Sequence, residues 1–364
     1  MRRGSCVALP LRACRTPAIY AQLVPSAFVL GGTGQIGRAV WRRFSEAGWD
    51  VIVGARGSRP SLPEMRTVAV DRRVPGALEA AIPRFVDVLV DLIPYTAADA
   101  EQINRMAARV GSVVAISTAS VYADERGRTL DEARDLAGFP ALPVPIPERH
   151  RTSEPGDATY STRKVAMERA LLEGPLAATI VRPCAIHGPG ASSLREWHFV
   201  KRVLDGRRVV LLADRGESLF HTTSVANLAE LVLRAAERPA DRIVNCGDPD
   251  PPTVREIERA IATALSHEWV EVLVPQDGYS VPAADTPWST PRPFVLDMTA
   301  AERDLAYRPV ARYGDAVVAT VEWLVEATRD RDWRDVLPEA ASTMEGSFDY
   351  EMEDALLAGL IAES

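Results

Sequence analysis

The stretch Ala27-Phe28-Val29-Leu30-Gly31-Gly32-Thr33-Gly34-Gln35-Ile36-Gly37 decides the reading of this chain. Four apolar residues ending in glycines read as a buried strand. Ile36, Val40, Phe44 and Ala47 then recur at helical spacing, and Gly48 stands where a helix C-cap belongs. A glycine turn between a strand and a helix N-terminus lets backbone approach a pyrophosphate and points free N–H groups at it. The motif therefore predicts a dinucleotide cradle built from Gly31, Gly34, Gln35, Ile36 and Gly37.

Working outward, apolar runs at 50–53, 68–70, 86–93 and 113–116 read as further strands, with a helix near 98–108. Another helix spans 159–172, followed by a strand at 178–182. Strands alternating with helices predict an α/β fold, a doubly wound Rossmann-type parallel sheet. Beyond residue 185 the alternation loosens. Helices near 194–205, 224–237 and 254–265 and strands near 208–212 and 242–245 predict a smaller C-terminal substrate-binding lobe. The expected division is a 26–185 cofactor domain and a 186–330 lobe interleaved with it. Residues 1–25, basic and without acids, read as a disordered or leader-like extension. Residues 331–364, with nine acids against two arginines, read as a peripheral acidic tail. Prolines at 140, 143, 145, 147 and 155 make the stretch 139–155 a long surface loop.

Composition narrows the function. The chain has 364 residues and a net charge of −8, which argues against a general nucleic-acid surface. No run approaches the roughly 20 apolar residues that span a bilayer. Cys6, Cys14, Cys184 and Cys246 have neither metal-like spacing nor a disulfide framework, so a cytoplasmic protein without a metal is expected. Of the 42 basic residues only Lys164 and Lys201 are lysines, which makes each of them informative.

Lys164 follows Tyr160 by four residues, hence on the same helix face. A phenol of pKa ~10 is a poor base at neutral pH. A neighbouring ammonium is expected to lower that value and let the pair exchange a proton with a hydroxyl or carbonyl. A third hydroxyl is expected from the strand exit Ser117-Thr118-Ala119-Ser120-Val121-Tyr122, where spacing alone does not choose among the candidates. After the second strand, Ala55 offers no carboxylate for ribose hydroxyls while Arg56 offers a cation, which favours NADP over NAD. Asp71 is a candidate for the adenine edge. His187 and His221 read equally as substrate ligands or as structural residues.

Together the glycine cradle, the Ser117–Tyr122 exit, Tyr160/Lys164, Arg182-Pro183…His187-Gly188-Pro189-Gly190, Phe220-His221…Val225-Ala226 and Asn245-Cys246-Gly247 resemble the extended short-chain dehydrogenase/reductase superfamily, the NAD-dependent epimerase/dehydratase family. The resemblance covers about residues 27–325. It implies Thr118 as the carbonyl-orienting residue, Tyr160 as acid/base, Lys164 as ribose ligand, and a cofactor contact at Pro183. It implies hydride transfer at a secondary hydroxyl or ketone of a small molecule such as a nucleotide sugar, by an epimerase or a reductase. Dehydratases of the family carry Asp-Glu after the threonine; Ala119 and Ser120 stand there instead, so dehydration is not expected. The exit Asp91-Leu92-Ile93-Pro94 replaces the usual small residues. Relatives pair through helices of the first domain, which leaves a homodimer as one candidate state. Arg195-Glu196-Trp197-His198-Phe199-Val200-Lys201-Arg202 also resembles the chloroplast stem-loop-binding branch. The rival reading is thus a non-catalytic dinucleotide-binding or RNA-associated protein on the same fold.

Overall fold

The computed structural model describes residues 24–133, 137–191, 194–275 and 282–362, so Cys6, Cys14 and most of the 1–25 extension lie outside the described residues. The chain runs β1 (Ser26–Leu30), α1 (Gln35–Glu46), β2 (Asp50–Ala55), β3 (Arg66–Ala69), α2 (Ala77–Ala81), β4 (Val86–Asp91), α3 (Ala97–Asn104), β5 (Val110–Ile116), α4 (Tyr160–Leu172) and β6 (Ala177–Pro183). It continues through β7 (Ala185–His187), α5 (Trp197–Leu204), β8 (Val209–Ala213), β9 (Thr222–Ser224), α6 (Val225–Glu237), β10 (Arg242–Cys246), α7 (Val254–Ala264) and β11 (Val270–Val274).

Seven strands form one parallel sheet in the order β10-β6-β5-β4-β1-β2-β3. The chain winds from β1 towards one edge and then from β4 towards the other. This reversal opens a crevice at the carboxyl ends of β1 and β4, where such sheets bind ligands. Alternate residues of each strand supply the two faces. Val29, Val53, Val90 and Val114 pack against Val40 and Phe44 of α1 and Leu228 and Val232 of α6. Phe28, Ile52, Leu89 and Val113 pack against Ile103 of α3 and Met167 and Leu171 of α4. The sheet is therefore covered on both sides, as its nearly continuous apolar strands require.

The last part of the chain adds α8 (Thr299–Leu305), α9 (Tyr313–Thr328), α10 (Trp333–Val336), α11 (Pro338–Met344) and α12 (Tyr350–Ala362). Trp333, Leu337, Ala340 and Met344 are buried in one core with Trp197, Val200, Ile257 and Val321. The expectation of a peripheral tail is corrected here. Apolar residues of these short helices close the lobe, and Glu353, one of the acids, is itself buried against Arg202. The proline-rich stretch carries no helix or strand beyond isolated bridges such as Ile146–Leu296. Among the described residues no helix is long and apolar enough to cross a membrane.

Candidate active site

The glycine turn has the shape a cofactor cradle needs. Gly31 takes φ +84°, a left-handed conformation that favours glycine. A Cβ on Gly32 would stand 2.6 Å from a Val53 methyl, and one on Gly37 would stand 2.3 Å from the Gly32 Cα. The turn is thus pressed between β2 and its own helix. Gly34 is the N-cap of α1 and no side chain caps the helix, so its first N–H groups stay available. Ile36 packs into the core beneath, while the Gln35 side-chain amide donates to the Gly188 carbonyl at 2.8 Å. Pro183 ends β6 opposite Cys246 and is buried.

Arg56 follows β2 directly and is exposed to solvent beside the crevice. Sequence reasoning missed Arg59, whose Nη1 lies 3.6 Å from where a Gly34 Cβ would stand. Arg38 holds that loop in place by donating to the carbonyls of Thr33 (3.2 Å) and Pro60 (2.7 Å). Asp71 is engaged by Arg73, which donates from Nη2 at 2.6 Å and holds the carboxyl down at about 2. These groups fit a dinucleotide: a turn that only glycines can make, an uncapped helix N-terminus and two cations on its rim.

On the other side of the crevice α4 starts at Tyr160, fixed by a capping box in which Thr159 and Thr162 bond each other's backbone N–H. Asp131 accepts the Ser161 N–H at 3.0 Å, and the Ser161 hydroxyl donates to the Ser120 carbonyl at 2.9 Å. The helix start is thereby tied to the β5 exit, which sets the Thr118 hydroxyl near the Tyr160 phenol. Thr118, Tyr160 and Lys164 are brought together as the sequence predicts. Lys164 is 3% exposed, and its Nζ donates to the carbonyls of Pro94 (2.8 Å) and Ile116 (3.0 Å). An ammonium has three donors, so one remains free.

The electrostatics differ from expectation. Burial pushes the Tyr160 phenol up to about 12, only partly offset by the Thr118 hydrogen bond. The Lys164 ammonium, turned to two carbonyls and 5.8 Å from the Tyr160 ring centre, does not lower it. Lys164 itself is brought down to about 8 by burial, with Asp91, Glu168 and Asp99 opposing the fall. The pair therefore holds its protons at neutral pH.

Behind the site, buried charges fix the strand exits. Arg72 pairs with Asp91 at 2.7 Å and Asp99 at 3.1 Å, and donates to the Ile93 carbonyl at 3.3 Å. Glu168 and Arg182 form a two-point pair at 2.6 and 3.0 Å, with both side chains 3% exposed. The Ser117 hydroxyl also donates to Glu168.

Of the two loop histidines, His221 has both ring nitrogens engaged, whereas His187 uses Nε2 and leaves Nδ1 buried without a partner among the described residues. Nδ1 of His221 accepts the Leu296 N–H at 3.0 Å while Nε2 donates to the Asp248 carbonyl at 2.8 Å. Both nitrogens are used, and burial lowers its pKa, so the ring is neutral. His187, 2% exposed, meets Asp248 through Nε2 at 2.8 Å. Burial opposes its charge most strongly, but the Asp248 hydrogen bond and the negative charges of Asp248 and Glu196 together outweigh it and raise the pKa. Asp248 also accepts from Thr222, Ser224 N–H and Asn227, and is held far below the usual carboxylate range. This carboxylate stands one residue past the Asn245-Cys246-Gly247 motif and carried no signal of its own in the sequence. Arg202, at the end of the 195–202 segment, is committed to Glu353.

The comparisons with known proteins agree with this geometry. Residues 27–247 match the model of the NAD dependent epimerase/dehydratase family. The chain is 29% identical to a 2'-dehydrokanamycin reductase of Streptomyces kanamyceticus over 264 residues, 68% of this chain and 69% of that protein. Its fold is that of a UDP-N-acetylglucosamine 4-epimerase from Bacillus cereus, with TM-score 0.63 and 17% identity over 83% of this chain and 99% of that one. A UDP-glucose 4-epimerase from Thermotoga maritima superposes with TM-score 0.61 and 19% identity over the same shares. With its cradle, its parallel sheet and this match over most of its length, the chain belongs to the NAD dependent epimerase/dehydratase family and is an NAD(P)-dependent epimerase or reductase of the extended short-chain dehydrogenase/reductase type.

Proposed function

We propose that the protein is an NADPH-using reductase of a ketone on a small, sugar-like ring. The observation that carries this reading is the protonated Tyr160–Lys164 pair, with a phenol raised to about 12 and set against Thr118. In the reducing direction the substrate oxygen accepts from the Thr118 and Tyr160 hydroxyls. The bound nicotinamide cofactor supplies the hydride to the carbonyl carbon. Tyr160 gives its proton to the oxygen, forming the alcohol, and the phenolate left behind is stabilised by the adjacent Thr118 hydroxyl. Solvent then restores the proton through the exposed side of Tyr160, which is 38% accessible. The free Lys164 N–H is available to a ribose hydroxyl.

Arg56 and Arg59 on the rim of the cradle support a 2'-phosphate, hence NADPH. The relative named 2'-dehydrokanamycin reductase supports the ring ketone. Ala119 and Ser120 supply neither acid nor base for eliminating water. The test is turnover of a ring ketone with NADPH and with NADH. The expected outcome is a preference for NADPH and a loss of about 10²- to 10⁴-fold in kcat for Tyr160→Phe. Tightly retained NAD(H) in the purified protein would favour an epimerase instead. A Tyr160→Phe protein with undiminished cellular function would favour the dinucleotide-binding or RNA-associated reading.

A further inference from the structure

A second tyrosine faces the same ammonium. Tyr95 follows the β4 exit, and its ring centre lies 4.8 Å from Lys164 Nζ, nearer than the ring of Tyr160. The two ring centres can therefore be no further apart than the two distances laid end to end, and they flank one cation. The position of Tyr95 is built, not incidental. Its N–H donates to Asp99 Oδ2 at 2.8 Å, and the same oxygen accepts the Thr96 N–H at 3.0 Å. Asp99 is in turn held by Arg72, which also fixes Asp91 and the Ile93 carbonyl. Thr96 and Asp99 complete a capping box at the start of α3. The next carbonyl along, that of Pro94, receives the Lys164 ammonium. One buried charge network thus sets both the backbone that holds Lys164 and the ring that covers it.

The ring itself stays open to solvent, with Tyr95 52% exposed. An exposed aromatic beside a buried ammonium gains a cation–π attraction on one face and leaves its hydroxyl free. With both rings set against the one Nζ, Tyr95 and Tyr160 stand at the same mouth of the crevice.

We infer that Tyr95 is a specificity-determining residue whose hydroxyl binds a polar group on the carbon next to the reacting carbonyl. The inference rests on the reductase reading above and deepens it. Tyr160 and Thr118 hold the reacting oxygen, and Tyr95 holds its neighbour. The substrate class is then a ring ketone with a hydroxyl or amino group beside the carbonyl. A site that hydrogen-bonds such a group rejects the analogue lacking it, because the protein's polar group is left unpaired.

The experiment compares two probes, scyllo-inosose, a pentahydroxycyclohexanone, and cyclohexanone, each reduced with NADPH by the full chain. The wild type is expected to favour the inosose in kcat/KM, and Tyr95→Phe to cut that preference about tenfold, mainly through KM for the inosose. Tyr95→Phe keeps the ring over Lys164, so the hydroxyl alone is tested, and a matched melting temperature confirms the fold. A wild type that reduces both ketones equally or neither, or an unchanged preference in Tyr95→Phe, overturns the inference. Tyr160→Phe in the same assay separates the two readings: if it reduces the inosose as fast as wild type, Tyr160 is not the proton donor and the mechanism proposed above fails instead.

Discussion

Two buried charge centres stand on either side of the crevice, and they are finished to different degrees. Around Asp248 the carboxylate is fully engaged: His187, Thr222, Ser224 and Asn227 all donate to it. Nearby His221 also uses both ring nitrogens. Around Lys164 the chain supplies two carbonyls and two aromatic faces and leaves one N–H without a bond. A buried polar group left short of partners costs free energy unless something else completes it. The Asp248 carboxylate, met by four donors of the chain, is therefore a joint, with only Nδ1 of His187 beside it left unpaired among the described residues, and the Lys164 ammonium is a site.

The comparison can be broken most severely at the joint. Removing one partner of a buried ionic pair costs about 3–5 kcal/mol, so Asp248→Ala is expected to lose that much in urea unfolding. Because the Asp248 carboxyl is depressed, its contribution is present at neutral pH and lost as pH falls through its folded value. A variant as stable as wild type would show that Asp248 is not a joint.

A smaller effect sharpens the other side. Lys164 has its folded pKa lowered from 10.5 to about 8, so the ammonium is lost as pH rises through about 8. Reduction is expected to decline over that range, by up to about tenfold per unit, in an initial-rate profile. The same shift makes the folded protein bind fewer protons than the unfolded chain between about 8 and 10.5, so this group's contribution to stability rises with pH there. Activity and stability should move in opposite directions. A profile flat to about pH 10 would remove Lys164 from the reaction.

The smallest effect concerns His221. His221→Leu strands the Leu296 N–H and the Asp248 carbonyl, and about 1–3 kcal/mol of stability should go. The kcat and KM of the folded protein should stay at wild-type values. A raised KM would return this ring to the substrate.

What the sequence made legible follows the range of the interactions. The cradle could be read because Gly34 and Gly37 pack against their own turn, within a few residues, and Tyr160 and Lys164 because helical spacing alone brings them together. The scarcity of lysine in an arginine-rich chain was enough to single out Lys164. His221 could not be assigned because its partners arrive from residues 248 and 296. The rise in the Tyr160 pKa was hidden because it depends on burial and on where the ammonium turns, not on the four-residue spacing. The C-terminal helices were hidden by their own acids: Trp333, Leu337, Ala340 and Met344 recur at helical spacing, but the nine acids around them dominated the reading. Tyr95 left one signal, an aromatic just after an unusual strand exit, and spacing gave it no partner.

The family match ends at residue 247, and the next residue is the carboxylate that closes the joint. Anyone excising a cofactor module for a chimera along that boundary would leave His187 sealed in the interior without its counter-charge. The loop that Gln35 of the cradle grips at Gly188, one residue further on, would lose its anchor with it. The smallest portable unit of this protein therefore extends past Asp248 to the helices that cap the second lobe, at least to Met344.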